Sequence, residues 1–483
     1  MEISLAGVIV VFALVVAARP FGSPLAIAAI ASFAFGATAI ATVSAVGGAS
    51  PLIYVVPNLA LVAAVAFRRE SRREIGLFLG RDPTAWLVIL LAIYAVASAI
   101  IMPRLFAGFT SAFVNSRATG LAEVPLEPNS GNVTQAAYFA LGALAFLAFG
   151  IITLQRAALR SVGRGFFAWA ALTAFMGAID LGGRLVGAGD VLAPIRTAAY
   201  AMITGEGATL GGFSRISGAH SEASAFAAAA TASLAFAVGY WKRTGSRAAL
   251  GLSVALLVLL ILSTSTTAYV ALAVLAACLG LSTLRSGLTR GFSTQDLTLG
   301  SALVVATAVV IAIALFNERI LDPFVNLFEM TVINKGDTES ARERGYWNAR
   351  SLDAFLDTFG IGIGLGSSRS SNWIISVLSQ LGLVGAALLL AIILRLAGNV
   401  PAVVSGADAR ALAGLHDGAR NCALTILLAG TIAGGNADPG ALFFIAVATV
   451  CACRFHLATE TSRWRYDVHA HADSRQPLPA GAR

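Results

Sequence analysis

Charge is scarce in this sequence. Asp, Glu, Lys and Arg make up only 12% of its 483 residues, about half the share found in soluble domains. A chain so poor in charge cannot clothe the two or three soluble domains that its length would otherwise allow. Cysteine and histidine are scarcer still, at four and five residues. Cys278, Cys422, Cys451 and Cys453 all fall in apolar runs and are expected to be buried thiols behaving as small hydrophobes. His456 follows Cys453 by three positions, but one Cys-x-Cys and one histidine fall short of four zinc ligands. No basic leader precedes the first apolar segment, so residues 3–18 are expected to be a span and not a signal peptide.

Hydrophobic residues fill what is left, at 57%. Runs such as Leu87 to Ile101, Ala136 to Ile152 and Ser301 to Phe316 recur along the chain at about the length that crosses a bilayer. The expected fold class is an all-α polytopic membrane protein of about 12–14 transmembrane helices. Only helices or closed barrels satisfy the backbone in lipid, and the alternation of a barrel is absent. The spans are expected near 3–18, 24–45, 50–67, 84–103, 133–153, 166–187, 222–241, 247–263, 267–284, 297–316, 372–394, 419–434 and 438–456. Residues 1–456 thus form one membrane domain, and 457–483 a cytoplasmic tail expected to be disordered.

The net charge of +8 is a topology signal and does not call for a nucleic-acid partner. RRESRR, QRAALRSVGR, WKRTGSR and LRSGLTR follow every second span, as do Arg395, Arg410 and Arg420, and the tail is basic too. Cytoplasmic segments carry such a surplus. The intervening long loops 104–132, 189–221 and 317–371 are then forced to the outer face. The last of them, with eight acidic and six basic residues, lacks the cytoplasmic bias.

Polar chemistry concentrates in these outer loops. FSRISGAHSEASAFA places Arg215, His220 and Glu222 immediately before an alanine-rich span. Ser221 could cap that helix with Glu222 in its first turn. In the third loop, Leu352, Phe355, Leu356 and Phe359 share one helical face, which predicts an amphipathic helix from Tyr346, lying on the outer leaflet and ended by Gly360. Arg342 and Arg344 precede it, where helix amides favour an anion. Arg350 has Asp353 at i+3 and is expected to form a surface ion pair. The run GIGIGLG, 360–366, lacks GxGxxG spacing and a preceding strand, so it reads as a tight re-entry of the chain and not a nucleotide loop. Asp180 and Arg184, four apart on one face, fit either a functional charge or a neutralising pair. The turn STSTT at 263–267 is expected to supply helix caps.

Taken together, FSRISGAHSEASAFA, the hydroxyl-rich turn, an outer loop reading R-x-x-W, the G-x-G-x-G run and Asn372 before QLGLVG resemble the O-antigen ligase and Wzy-type polymerase superfamily. Within it the chain looks most like exopolysaccharide polymerases of the bacterial inner membrane. The resemblance covers about residues 200–394. It implies a GT-C-like membrane fold and a glycosyltransferase that needs no metal or other cofactor. It also implies that Arg215 and Arg344, with Arg342 beside it, contact the diphosphate of a polyprenyl-linked oligosaccharide. Glu222 resembles the acidic position of polymerase-like members. Ligases carry a histidine before the asparagine that precedes the last of these spans. Here that position reads Ser371-Asn372, a departure from the ligase pattern.

Elementary chemistry agrees with these implications. The outer face has no nucleotide sugars, so glycosyl transfer there must use a lipid-diphosphate donor. Arginine suits the charge left on that diphosphate, and the outer loops show no DxD or His/Asp cluster to hold a metal. The acceptor hydroxyl needs a base, for which Glu222 and His220 are the candidates. The expected function is a polysaccharide polymerase moving a glycan from its polyprenyl-diphosphate carrier to a lipid-linked repeat. It would work among membrane lipids, with a flippase and a chain-length regulator as partners. The alternative is a ligase moving a finished glycan to another acceptor. More distant is a solute transporter, against which no pair of Gly/Pro-broken half-helices stands out.

Overall fold

The structure is a computed structural model that describes residues 2–42, 50–116, 120–199, 209–210, 213–302, 304, 339–398 and 406–473. It is an all-α membrane-type protein. Seven of its described helices are long and apolar enough to cross a bilayer, and four shorter apolar helices accompany them. In chain order the helices are α1 (Leu5–Ala18), α2 (Pro24–Ala31), α3 (Val55–Ala66), α4 (Ser71–Leu79), α5 (Pro83–Leu105), α6 (Ser130–Ile152) and α7 (Arg156–Leu185). They continue with α8 (Ala223–Thr244), α9 (Arg247–Leu262), α10 (Thr266–Arg290), α11 (Glu339–Asp357), α12 (Trp373–Ala397), α13 (Ala407–Ala433) and α14 (Ala441–Asp473). Most of the expected span 297–316 lies outside the described residues, and α14 continues well into the tail expected from 457.

Alanine, glycine and serine dominate α8 because it is the central helix. Phe226, Ala227, Ala230, Thr231, Ser233 and Phe236 are fully covered. Its backbone approaches α13 so closely that a Cβ on Gly239 would lie 3.0 Å from the Asp417 carbonyl oxygen. Small residues let helices meet in this way where lipid offers no hydrophobic drive. Polar groups at the contact are paired, as when Arg243 donates to Asp417 at 2.5 Å. Phenylalanine pairs fill the wider gaps, among them Phe139 on Phe444 and Phe166 on Phe236.

The two ends of the bundle differ in charge. At one end Asp82 receives Arg395 and Arg454, and Lys242 meets Asp296 at 2.9 Å. The basic segments that follow every second span meet here. The long loops meet at the other end, where Asn132 donates to the Leu365 carbonyl and the Ser370 amide to the Gly435 carbonyl. A hairpin, β3 (Ser111–Ser116) with β4 (Gly120–Pro125), stands at this loop end. Two further two-stranded pairs occur, β1 (Glu2–Ile3) with β2 (Ala41–Thr42) and β5 (Thr209–Leu210) with β6 (Phe213–Ser214). All three lie outside the long apolar helices, where the bar on strands in lipid does not apply.

The helices over Arg156–Leu185 and Ala407–Ala433 begin ten and twelve residues before the spans expected at 166 and 419, and two other expected spans are not continuous helices. The apolar run expected at 24–45 is helical only to Ala31, with a 3-10 turn over Ser32–Ala34. Beyond it the chain is irregular, and its backbone is satisfied by other loops. The Ala37 amide donates to the Ala219 carbonyl, Ala198 to Ala37, and Ile53 to Thr38. Irregular backbone at such depth is tolerated where protein surrounds it. The second departure is in α12, which is broken at Gly382 (φ 62°, ψ −165°). The GIGIGLG run fills the break. Ile363 and Gly364 donate to the Ser379 and Gln380 carbonyls, Leu383 donates to Gly360, and the Tyr94 hydroxyl caps Leu381. The re-entry expected of this run is thus a backbone patch on a broken helix.

Candidate functional site

Asp180 organises the loop that carries the charged cluster. Its carboxylate is fully buried on α7, where an unpaired charge would cost several kcal/mol. Arg184 supplies one partner at 3.0 Å and Arg196 another at 3.5 Å. The other carboxylate oxygen accepts the amides of Ser217 and Gly218 at 2.7 and 2.9 Å. Arg196 also donates to the Gly218 carbonyl and to Asp190. The Asp180–Arg184 pair is therefore wider than its sequence spacing shows. It is an anchor that fixes residues 215–220 against the bundle.

Arg215 leaves this anchor half-buried, and its Nε has no hydrogen-bond partner among the described residues. Burial lowers the pKa of the guanidinium; Glu222 opposes that shift, and Arg344 adds to it. Two arginines from distant parts of the sequence thus repel each other across one site, with Glu222 as the acidic group within reach. Neither Arg342 nor Arg344 has an ion-pair or hydrogen-bond partner among the described residues. Arg342 is exposed and Arg344 half-buried. Both lie within the first turns of α11, which starts at Glu339 and not at Tyr346.

The amphipathic helix itself is docked on protein. Phe113 of the β3–β4 hairpin packs edge-on to Tyr346 and against Trp347, while Ser351 and Ala354 are buried. Arg350 pairs mainly with Glu123 on β4, at 2.6 Å, and only secondarily with Asp353, at 3.4 Å. Leu356 and Phe359 remain exposed. Gly360 (φ 77°) closes the helix, its amide donating to Phe355. Asn348 of α11 receives the Ser371 amide, and Asn372 caps α12 through the amides of Ile374 and Ile375.

Glu222 is the cap residue of α8, in place of Ser221. Its side chain makes no cap bond and instead accepts from the Ser224 hydroxyl. Glu222 also lines a cavity of about 430 Å³ beneath the loop end, within the range of small-molecule sites. His220 lines the same cavity and is buried, its Nδ1 without a partner among the described residues. Burial, helped by Arg196, pushes the imidazole down to about 4, so the ring is neutral at pH 7. A Cβ on Gly36 would stand 2.4 Å from His220 Cδ2; the irregular segment after α2 therefore forms the wall against this ring. Phe33, Tyr54, Trp169 and Trp373 give the cavity aromatic walls, and Asp438 closes it.

Sequence reasoning passed over Asp438, Arg196 and Arg369. Asp438 sits in an Asp-Pro-Gly turn, a signature of connectors, and nothing in the sequence around Arg369 sets it apart from other loop cations. Arg369 is exposed, and a Cβ on Gly435 would meet its Nε at 2.9 Å. In the STSTT turn Ser263 is the C-cap residue of α9, its hydroxyl donating to the Leu260 carbonyl at 2.8 Å. Ser265 holds the cap position of α10 without a cap bond, its hydroxyl and that of Thr264 are buried without partners among the described residues, and Thr264 has φ 48°. Cys422, Cys451 and Cys453 are buried, whereas Cys278 is exposed on α10. His456 bonds the Thr153 carbonyl at 2.8 Å. Among the described residues no three His, Cys, Asp or Glu side chains gather as a metal site. No family model matches this chain, and no curated protein matches it.

Proposed function

We propose that this chain is a GT-C-like glycosyltransferase with about 12–14 spans, built on an inner membrane of bacterial type. It polymerises a surface or exopolysaccharide from polyprenyl-diphosphate-linked repeats. The observation that carries the reading is the juxtaposition of Arg215 with Arg344 and with Glu222, which lines the cavity. Two mutually repelling guanidinium groups, one with an unpartnered buried nitrogen, form a site that an anion relieves. A diphosphate fits best, because each fork can grip two of its oxygens. Charge held ready at the leaving group lowers the barrier by several kcal/mol.

In the reaction, the acceptor hydroxyl oxygen attacks the anomeric carbon of the donor glycan. The bond from that carbon to the carrier diphosphate breaks, and its electron pair departs with the diphosphate. Arg215 and Arg344 receive that charge, with Arg342 at the edge. Glu222 and His220, which sequence offered as bases, both line the cavity where the acceptor would sit. A transporter is less well supported, since the carbonyls of the broken α12 are taken up by Gly364, Tyr94 and their neighbours. They are not left free to coordinate an ion.

Deleting the gene tests the class. A polymerase leaves single lipid-linked repeats to accumulate, whereas a ligase leaves long lipid-linked chains. An ion or solute phenotype with normal glycan would end the glycosyl-transfer reading.

A further inference from the structure

The cavity has more polar character than its aromatic walls suggest. Among the described residues, Trp169 Nε1 and His220 Nδ1 find no partner, though both are buried on residues that line it, and such atoms cost free energy until something bonds them. Asp438 is held at the cavity wall by its surroundings. Pro439 restricts it to extended backbone, and among the described residues its Oδ1 accepts only the Gly440 amide, at 2.9 Å. The loop is tied down by Trp373, whose indole donates to Ala437 at 3.1 Å, and by Ser370. Flat aromatic faces with a few convergent polar atoms suit a sugar ring, which is apolar above and below and polar at its rim.

We infer that this cavity seats the acceptor sugar and that Asp438 takes the proton from its attacking hydroxyl, in place of Glu222 and His220. The inference rests on the glycosyl-transfer reading. It assigns each carboxylate one task. Glu222 lies in the field of Arg215 and balances that cation, whereas Asp438 has no cation bonded to it among the described residues and lines the cavity. The other titratable groups on the cavity wall are Tyr54, His220 and Glu222, with Arg369 behind Gly435. Burial pushes the Asp438 carboxyl up to about 6, against the Gly440 hydrogen bond. A base near that value is ionised at neutral pH and still binds a proton well. The proton moves from the acceptor hydroxyl to Asp438 as the glycosidic bond forms, and then returns to solvent.

The test uses the full chain in nanodiscs. Lipid-linked repeats extracted from the deletion strain serve as substrate, and undecaprenyl diphosphate serves as the binding probe. Asp438→Asn is expected to slow polymer formation by about 10²–10⁴-fold while binding of undecaprenyl diphosphate is unchanged. Glu222→Gln is expected to cost less than about tenfold. The wild-type rate should fall as pH drops below about 6. The inference is overturned if Asp438→Asn polymerises at the wild-type rate, or if it loses probe binding together with activity. Wild-type protein that neither binds the probe nor polymerises would sink the glycosyl-transfer reading, and this inference with it.

Discussion

At the scale of single residues, Arg350 shows why spacing alone misassigns a partner. Asp353 stands at i+3 in the sequence, yet Glu123 of the hairpin takes the stronger contact. Hydrogen bonds from Ser111, then Tyr346 and Arg350, hold the Glu123 carboxyl down at about 2, below its ordinary value near 4.5. A depressed carboxylate stabilises the fold above the ordinary value, and that contribution is lost as pH falls toward the depressed one. Docking of the hairpin on α11 should therefore hold at about pH 5 and weaken toward pH 2. Trp347 fluorescence can follow it, since Phe113 touches that ring. In Glu123→Gln the acid transition should disappear; an unchanged transition would remove Glu123 as its source. Arg215, Glu222 and Arg344 were legible because charge is conspicuous in an apolar chain. Asp438 was not, because an aspartate in a turn carries no mark of the cavity that folding builds over it.

At the scale of elements, hydrophobic periodicity located α5, α6, α8, α9 and α10 closely. It failed where other loops, not the helix itself, satisfy the backbone. The segment after α2 and the break in α12 both owe their form to partners far along the chain. Gly382 is the clearest case. It lies in a region of φ and ψ that is essentially closed to other residues, and a Cβ there would stand 2.1 Å from the Ile361 carbonyl oxygen. Gly382→Ala should cost about 1–3 kcal/mol from the backbone alone, with the clash added. Thermal unfolding of the purified protein measures it, and wild-type stability would show that the break is not required. The glycines of the re-entrant run follow the same logic. Gly366 has φ 78°, and a Cβ on it would stand 2.3 Å from the Gly131 carbonyl oxygen. The sequence showed that this run was tight, but not what it was tight against.

At the scale of the whole molecule, one bundle separates two kinds of surface. Basic segments and their ion pairs hold one end, and the long loops, the hairpin and α11 hold the other. Alternation of charge along the sequence was enough to read that division, because it depends on the order of segments and not on any contact. The site at the loop end was only half legible. Its cations come from segments that sequence could mark, whereas its cavity comes from α7, α12, α13, the start of α14 and the irregular segment between α2 and α3 packing around α8. The central claim is that Arg215 and Arg344 act together on one anion, and a double-mutant cycle on undecaprenyl diphosphate binding tests it most directly. Lysine keeps the charge but loses the fork. Arg215→Lys and Arg344→Lys should each weaken binding at least tenfold, by about 1.4 kcal/mol or more, and the double variant should lose much less than their sum. Full affinity in Arg344→Lys, or losses that simply add, would contradict a shared diphosphate site.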